Sequence, residues 1–207
     1  MDFPLSRLVY ENVCKMLVKR GGIITSPLLS EDQIVQQMSQ REYIMITATR
    51  SNDPRGDATI TAVIIDKDSS ISKTAKSLSK ILALALKQKS ASPLEILLVT
   101  KDPMQERLMK QDEFKTDNKE VTIANYTYDI FLVDITEHVS VPKHELANED
   151  EISEFCKRYH TSKEQFSKIP MSDPQAVWLG LQPGMVIRIL RASETAGEAP
   201  TYRICIK

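Results

Sequence analysis

The sequence predicts an α+β protein in which an α/β region precedes a smaller α+β region. Segments with helical and extended hydrophobic patterns alternate up to about residue 136. A polar connector that contains a proline follows, and two strand-like runs lie close to the C-terminus. A chain of 207 residues is long enough for two small domains. We therefore expect domains at residues 1–136 and 137–207.

Four helices are predicted in the first region. Apolar residues at helical spacing indicate a helix over residues 4–20. A second helix begins at Ser30, because Ser30 and Gln33 have the spacing of a capping box. Residues 71–89 carry the third amphipathic pattern, and the fourth helix begins at a proline and covers residues 103–111.

Four strands are predicted between these helices. Residues 43–49 and 58–65 are rich in β-branched side chains and flank a loop of turn residues, which indicates a hairpin or two neighbouring strands. Residues 94–100 are almost entirely apolar, a pattern typical of a strand covered on both faces. The last strand of the region is expected near residues 128–134.

The second region has its own helix and strand signals. Asn148 is a candidate N-cap, and the three acidic residues that follow favour the positive end of a helix dipole. The apolar face of this helix should include Tyr159. A short helix is expected near residues 163–168, and Asp173 is a candidate cap for another. Strands at 185–190 and 201–206 complete the region.

Composition excludes several classes of protein. Lys and Arg total 27 and Asp and Glu total 28, so the net charge of −1 excludes nucleic-acid binding through bulk positive charge. Cys14, Cys156 and Cys205 are far apart and odd in number, which predicts a reducing, intracellular compartment. The longest apolar stretch, residues 81–86, is too short to span a bilayer, so we expect no membrane partner.

Enzyme motifs are missing from the sequence. It has no GxSxG, GxxxxGK[ST] or GxGxxG pattern, and its three histidines have no zinc-site spacing. We therefore predict no catalytic residue, no metal and no cofactor.

A metal-dependent nuclease site is a separate possibility for an α/β region, and such sites need clustered carboxylates with a lysine on adjacent strands. The candidate carboxylates are Asp53, Asp57, Asp66 and Glu95, but Leu97 stands where a strand-borne Glu-x-Lys site requires lysine. The ligand set is incomplete, and a stand-alone DNA-processing enzyme is kept only as a rival hypothesis.

One stretch of the second region carries a specific resemblance. Residues 172–197, followed by Thr-Tyr-Arg at 201–203, are similar to the C-terminal domain of the fifth-largest subunit of eukaryotic nuclear RNA polymerases, a family that also has archaeal members. The positions that match the family pattern are Asp173, Pro174, Ala176, Gly180, Gly184, Arg191, Ser193 to Gly197 and Thr201 to Arg203. The connector, with Ile135 to His138 and Val141 to His144, also resembles the family.

The resemblance implies a non-catalytic subunit of a multisubunit DNA-directed RNA polymerase, present in one copy and without a cofactor. The first domain would be a jaw domain with a mixed sheet and nuclease-like topology, part of the lower jaw near downstream duplex DNA. The second would be an assembly domain that docks on the largest subunit and so joins the rest of the polymerase core. A free-standing transcription adaptor that docks on polymerase is the alternative.

The resemblance also suggests functional residues and a lineage. The expected docking residues are Arg191, Ser193, Glu194, Thr195, Gly197, Tyr202 and Arg203, and Lys101 and Pro103 are expected to face DNA. Departures from the family pattern at Gln182-Pro183 and in the loop 52–57 suggest a divergent lineage, such as the polymerase of a large DNA virus. The expected location is intracellular: the nucleus for a cellular protein, or the host cytoplasm and virion for a viral one.

Overall fold

The computed structural model describes residues 3–51, 53, 56–65, 75–87, 93–101, 121–193 and 197–207. Its contacts divide the chain into two compact units, Met1–Val133 and Asp134–Lys207. The described residues form two mixed sheets with five α-helices, so the predicted α+β class is confirmed. The nuclease-like topology of the first domain stays a prediction. None of the helices in the described ranges is long and apolar enough to cross a bilayer.

The first unit contains a five-stranded mixed sheet. Its elements are α1 (Phe3–Lys19), β1 (Gly22–Ile24), α2 (Glu31–Arg41), β2 (Tyr43–Arg50), β3 (Ala58–Ile65), α3 (Ala75–Lys87), β4 (Leu94–Thr100) and β5 (Val121–Thr127). The strand order is β1-β2-β3-β4-β5; the pairs β1–β2 and β2–β3 are antiparallel, and β3–β4 and β4–β5 are parallel. The predicted helix at 103–111 lies outside the described residues.

Local sequence signals account for the main elements of this unit. The Ser30 side chain accepts from the Gln33 amide and the Gln33 side chain accepts from the Ser30 amide, so the predicted capping box is confirmed. β3 is buried at every position, as expected for an apolar central strand. Leu78, Ile81 and Leu82 of α3 pack on one face of the sheet.

The prediction of a strand near residues 128–134 was wrong. A strand at Val121–Thr127 comes earlier, and Tyr128–Phe131 form a 3-10 helix. Tertiary contacts fix this helix: the Tyr128 hydroxyl donates to the Ile65 carbonyl, and the Asn12 side-chain Nδ2 donates to the Phe131 carbonyl at 2.8 Å. Tyr128 and Phe131 lie one 3-10 turn apart, so both rings are buried on one side.

The second unit has a four-stranded sheet with a helix on each face. Its elements are β6 (Lys143–Leu146), α4 (Glu149–Tyr159), β7 (Ser167–Pro170), α5 (Pro174–Leu179), β8 (Val186–Ser193) and β9 (Gly197–Ile206), with 3-10 turns at Ile135–Glu137 and Lys163–Gln165. The order is β6-β8-β9-β7, and only the β7–β9 pair is parallel within the described sheet. The helix expected at 163–168 is therefore a single 3-10 turn followed by β7.

Two caps begin the helices of this unit as predicted. The Asn148 side chain accepts from the Glu151 amide at 2.7 Å, and the Asp173 side chain accepts from the Gln175 amide at 2.8 Å. α5 packs on the face that contains Ile187 and Ile189, and α4 packs on the opposite face. Tyr159 was expected on the buried side of α4 but is 58% exposed, because it lies in the last turn, beyond the edge of the core.

Candidate docking surface

The β8–β9 hairpin carries most of the predicted docking residues. Arg191 is exposed on β8 and is paired with Ala199, and the backbones of Ser193 and Gly197 are paired at the end of the hairpin. Gly197 has a φ of +72°, a conformation that side chains with a Cβ rarely adopt, and a Cβ there would meet no atom within 4 Å. Glycine is therefore required by the backbone and not by crowding.

The loop between the two strands lies outside the described residues. Glu194 and Thr195 are not among the described residues, and only the backbone of Ser193 is. Their docking roles stay predictions from the resemblance.

Tyr202 occupies a different place from the one predicted. Its side chain is only 8% exposed and packs against Phe155 and Phe166, with ring centroids at 4.5 Å and 5.9 Å. Its hydroxyl donates to Glu151 at 2.7 Å. Burial, followed by the hydrogen bond to Glu151, raises the pKa of Tyr202 to about 12. We correct its assignment: Tyr202 stabilises the aromatic core beneath α4, because little of its surface remains for a partner.

A charged network on this same face was missed in the sequence. Arg188 donates to Glu145 at 2.5 Å and to Glu151 at 3.0 Å, which connects β8 to both β6 and α4. Lys143 and Arg188 both lower the pKa of the Glu145 carboxyl. Arg188 is the register partner of Glu145 on β6 and of Tyr202 on β9. A correct prediction of strand register would therefore have predicted that these side chains lie together.

The opposite face of the sheet brings three cationic or titratable side chains together. His144 pairs with Ile189 and Arg203 pairs with Ile187, while Arg191 follows Ile189 at the next position on that face of β8. We call His144, Arg191 and Arg203 the basic cluster. Arg191 and Arg203 were predicted site residues; His144 was identified only as part of the connector.

Electrostatic interactions between His144 and the two arginines support this grouping. Burial is the main cause that lowers the pKa of His144, and Arg203 and Arg191 lower it further. The Pro142 carbonyl, 2.6 Å from the His144 Nδ1 atom, and the Asp173 carboxylate oppose that shift. The Arg203 Nε atom is buried and has no hydrogen-bond partner in the described part of the chain. The arginine heads in this cluster suit carboxylate groups of a partner.

One of the two residues predicted to face DNA, Lys101, lies at the end of β4. Lys101 is exposed and directly follows this buried strand. Pro103 lies outside the described residues.

Glu95, one of the carboxylates considered for a nuclease site, belongs to an ion cluster. It lies 2.8 Å from Arg50 and 3.6 Å from Arg20, and both arginines are almost fully buried. Two guanidinium groups thus compensate this carboxylate and leave it poorly suited to a metal ion. The described ranges contain no group of three or more metal-ligating side chains, and Asp66 lies outside them.

Comparison with known proteins finds a family that the second unit resembles. Residues 133–205 match the family model described as RNA polymerase Rpb5, C-terminal domain. The C-terminal unit is similar to the C-terminal domain of the Rpb5 family. This match covers the hairpin, both capped helices and the basic cluster, and it confirms the resemblance found in the sequence.

Named relatives extend the similarity to part of the first unit. The chain is 40% identical over 91 residues to the protein named DNA-directed RNA polymerases I, II, and III subunit rpabc1 of Dictyostelium discoideum, covering 44% of this chain and 46% of that one. It is 33% identical over 116 residues to the DNA-directed RNA polymerase RPB5 homolog of African swine fever virus, covering 55% and 57% respectively. The aligned part thus spans about half the length of these Rpb5-type relatives.

Proposed function

We propose that this chain is a non-catalytic subunit of a multisubunit DNA-directed RNA polymerase. The match of residues 133–205 to the Rpb5 C-terminal domain carries the proposal. The names of the relatives, which describe polymerase subunits, support it. In this function the chain contributes surfaces for assembly and supplies no reacting group.

The C-terminal unit docks on the largest subunit through the hairpin and the basic cluster. Arg191 is exposed on this face, and Arg203 lies half-buried on the same face. Acidic side chains on the partner would form charge-assisted hydrogen bonds with these two groups. Gly197 sets the path of the hairpin end, and the predicted contacts of Ser193, Glu194 and Thr195 extend the same surface.

Reversal of one exposed charge tests this docking surface. Arg191→Glu should reduce co-purification of the largest subunit, because it opposes acidic groups on the partner. Arg158→Glu is a matched control, since Arg158 is an exposed cation on α4, on the other face of the sheet. Equal recovery of the largest subunit with both variants would contradict the docking role.

The double variant Arg191→Ala with Glu194→Ala should weaken assembly while leaving the chain folded.

The first unit contributes to the lower jaw near downstream duplex DNA. Lys101 is exposed at the end of β4 and is available for a phosphate contact, with Pro103 beside it in sequence. Such a contact weakens with salt. Lys101→Glu should weaken the contact of the assembled polymerase with downstream DNA and make elongation less steeply dependent on salt, and Lys80→Glu on the exposed side of α3 serves as control. Unchanged salt sensitivity would remove Lys101 from the DNA path.

The lineage proposal rests on the viral relatives. Similarity to the African swine fever virus protein, at 33% identity, accompanies the departures from the family pattern noted at Gln182-Pro183. We therefore propose a viral polymerase, acting in the host cytoplasm and packaged in the virion. Detection of the chain in purified virions tests this, and its restriction to the nucleus would contradict it.

A further inference from the structure

A groove in the first unit shares no residue with the surfaces assigned above. It has a volume of about 450 Å³ and is lined by α2, the loop before it, β2 and α3. Leu29, Met45 and Leu84 provide apolar walls, and Arg41 and Lys87 provide two cations. We call this the edge groove.

The edge groove runs beside unpaired backbone of β2. β1 covers only Ala48–Arg50 of that strand. The amides of Thr25 and Ser26 both donate to the Thr47 carbonyl, so the main chain of Thr47 points away from β3. Main-chain groups of a strand alternate between its two sides, so those of Met45 and Tyr43 point the same way.

No described segment forms a main-chain hydrogen bond with Met45 or Tyr43 on that side. Both residues line the edge groove, so this groove borders the stretch of β2 whose main chain has no described main-chain partner on that side. Exposed strand edges of this kind accept an additional strand.

The charges of the edge groove restrict the occupant further. Arg41 and Lys87 are exposed, and neither forms an ion pair within the described residues. No acidic side chain lines the groove among the residues that the structure describes. Apolar walls with two free cations favour a segment in which apolar and acidic residues alternate.

We propose that the edge groove binds a short extended segment of a partner protein, with alternating apolar and acidic residues, which adds as a strand to β2. Its main chain pairs with Tyr43 and Met45. Its apolar side chains contact Met45 and Leu84, and its carboxylates approach Arg41 and Lys87. This surface is separate from the docking and DNA-facing roles proposed above.

Binding of a defined peptide to the full chain tests the proposal. The probe is the capped heptapeptide Asp-Val-Thr-Val-Glu-Val-Asp, and the comparison peptide carries Lys at each acidic position. We expect the acidic peptide to saturate the protein, to shift the Met45 amide resonance and to slow hydrogen exchange at that amide. Removal of both cations in Arg41→Gln with Lys87→Gln should weaken binding about fivefold.

A charge-matched double variant provides the control. Lys15→Gln with Lys80→Gln removes two exposed cations from α1 and α3 outside the edge groove, and its affinity should equal that of the unaltered chain. Four results would overturn the proposal: no saturable binding of the acidic peptide, equal binding of the basic peptide, binding without a change at the Met45 amide, or equal losses in the two double variants. Protection of the Met45 amide by self-association without peptide would assign the edge to a second copy and overturn it too.

Discussion

The environment of the Tyr202 side chain keeps its hydroxyl in the neutral form. The side chain is buried among aromatic rings, and its proton is donated to the Glu151 carboxylate. Ionisation would place a second negative charge next to Glu151 in a poorly solvated site. The same residue therefore contributes to the core and to the network that joins α4 to β8.

Replacement of Tyr202 by phenylalanine tests this arrangement. The raised pKa means that the stabilisation is complete below the ordinary tyrosine pKa near 10 and is lost as the pH rises towards about 12. Tyr202→Phe should lower the free energy of unfolding at neutral pH by about 1.5 kcal/mol, the typical value for a hydrogen bond to a charged group. Trp178, the single tryptophan, is buried in this unit and reports its unfolding by fluorescence.

A difference titration at tyrosine absorbance wavelengths provides the second readout. In the unaltered chain Tyr202 should ionise near pH 12, and this component of the titration should be absent from Tyr202→Phe. If the variant removes only a tyrosine with an ordinary pKa, the buried hydrogen bond is contradicted.

His144 predicts an acid-sensitive component of stability. Its pKa is lowered in the folded state, mainly by burial, so the unfolded chain binds the proton more readily. The stabilisation is present above about pH 6.5, the ordinary histidine value, and is lost as the pH falls through the folded-state pKa. His144→Gln should show a smaller loss of stability between neutral and acid pH, measured by Trp178 fluorescence in denaturant. Identical pH profiles would show that His144 is solvated.

The predicted and observed positions of individual site residues show what a sequence pattern can predict. The family pattern indicated Arg191 and Arg203, which the fold places on one face of the sheet. It also indicated Tyr202. The role of Tyr202 depends on which face of β9 packs against α4, and the sequence pattern of a single strand does not show which face that is. The partnership of Arg188 with Glu145 and Glu151 depends on strand register and on a helix distant in sequence, so it required the tertiary fold.

At the scale of elements, the hairpin depends on one backbone conformation. Gly197→Ala should destabilise the second unit by about 1 kcal/mol, since a Cβ opposes a positive φ even where space is free. Gly197→Asn should recover part of this loss, because asparagine tolerates the left-handed region better. Denaturation followed by Trp178 fluorescence measures both variants. Equal stability of Ala and Gly at this position would contradict the requirement.

Elements with strong local signals were predicted well, and those fixed by distant contacts were not. Ser30, Asn148 and Asp173 each marked a helix start that the structure confirms. The apolar run after Tyr128 was compatible with a strand, and only its contacts with Ile65 and α1 make it helical. Short strands such as β1, with three residues, are defined almost entirely by pairing.

At the scale of the whole molecule, the balanced charge suits a tethered subunit. A net charge of −1 gives little affinity for DNA in free solution. In the proposed function, attachment to a large complex would raise the effective concentration of DNA near the first unit, so a few weak contacts would suffice. The carboxylate of Glu95 pairs with the buried guanidinium groups of Arg20 and Arg50, so this cluster stabilises the first unit.

The most direct test of the polymerase-subunit proposal is purification of the tagged chain from its native source at moderate salt, with subunit stoichiometry measured by mass spectrometry. The proposal predicts one copy of the chain per polymerase, together with both large catalytic subunits. A transcription adaptor would be recovered in less than stoichiometric amounts. Recovery of the chain as a free monomer, without a large partner, would contradict the proposed function.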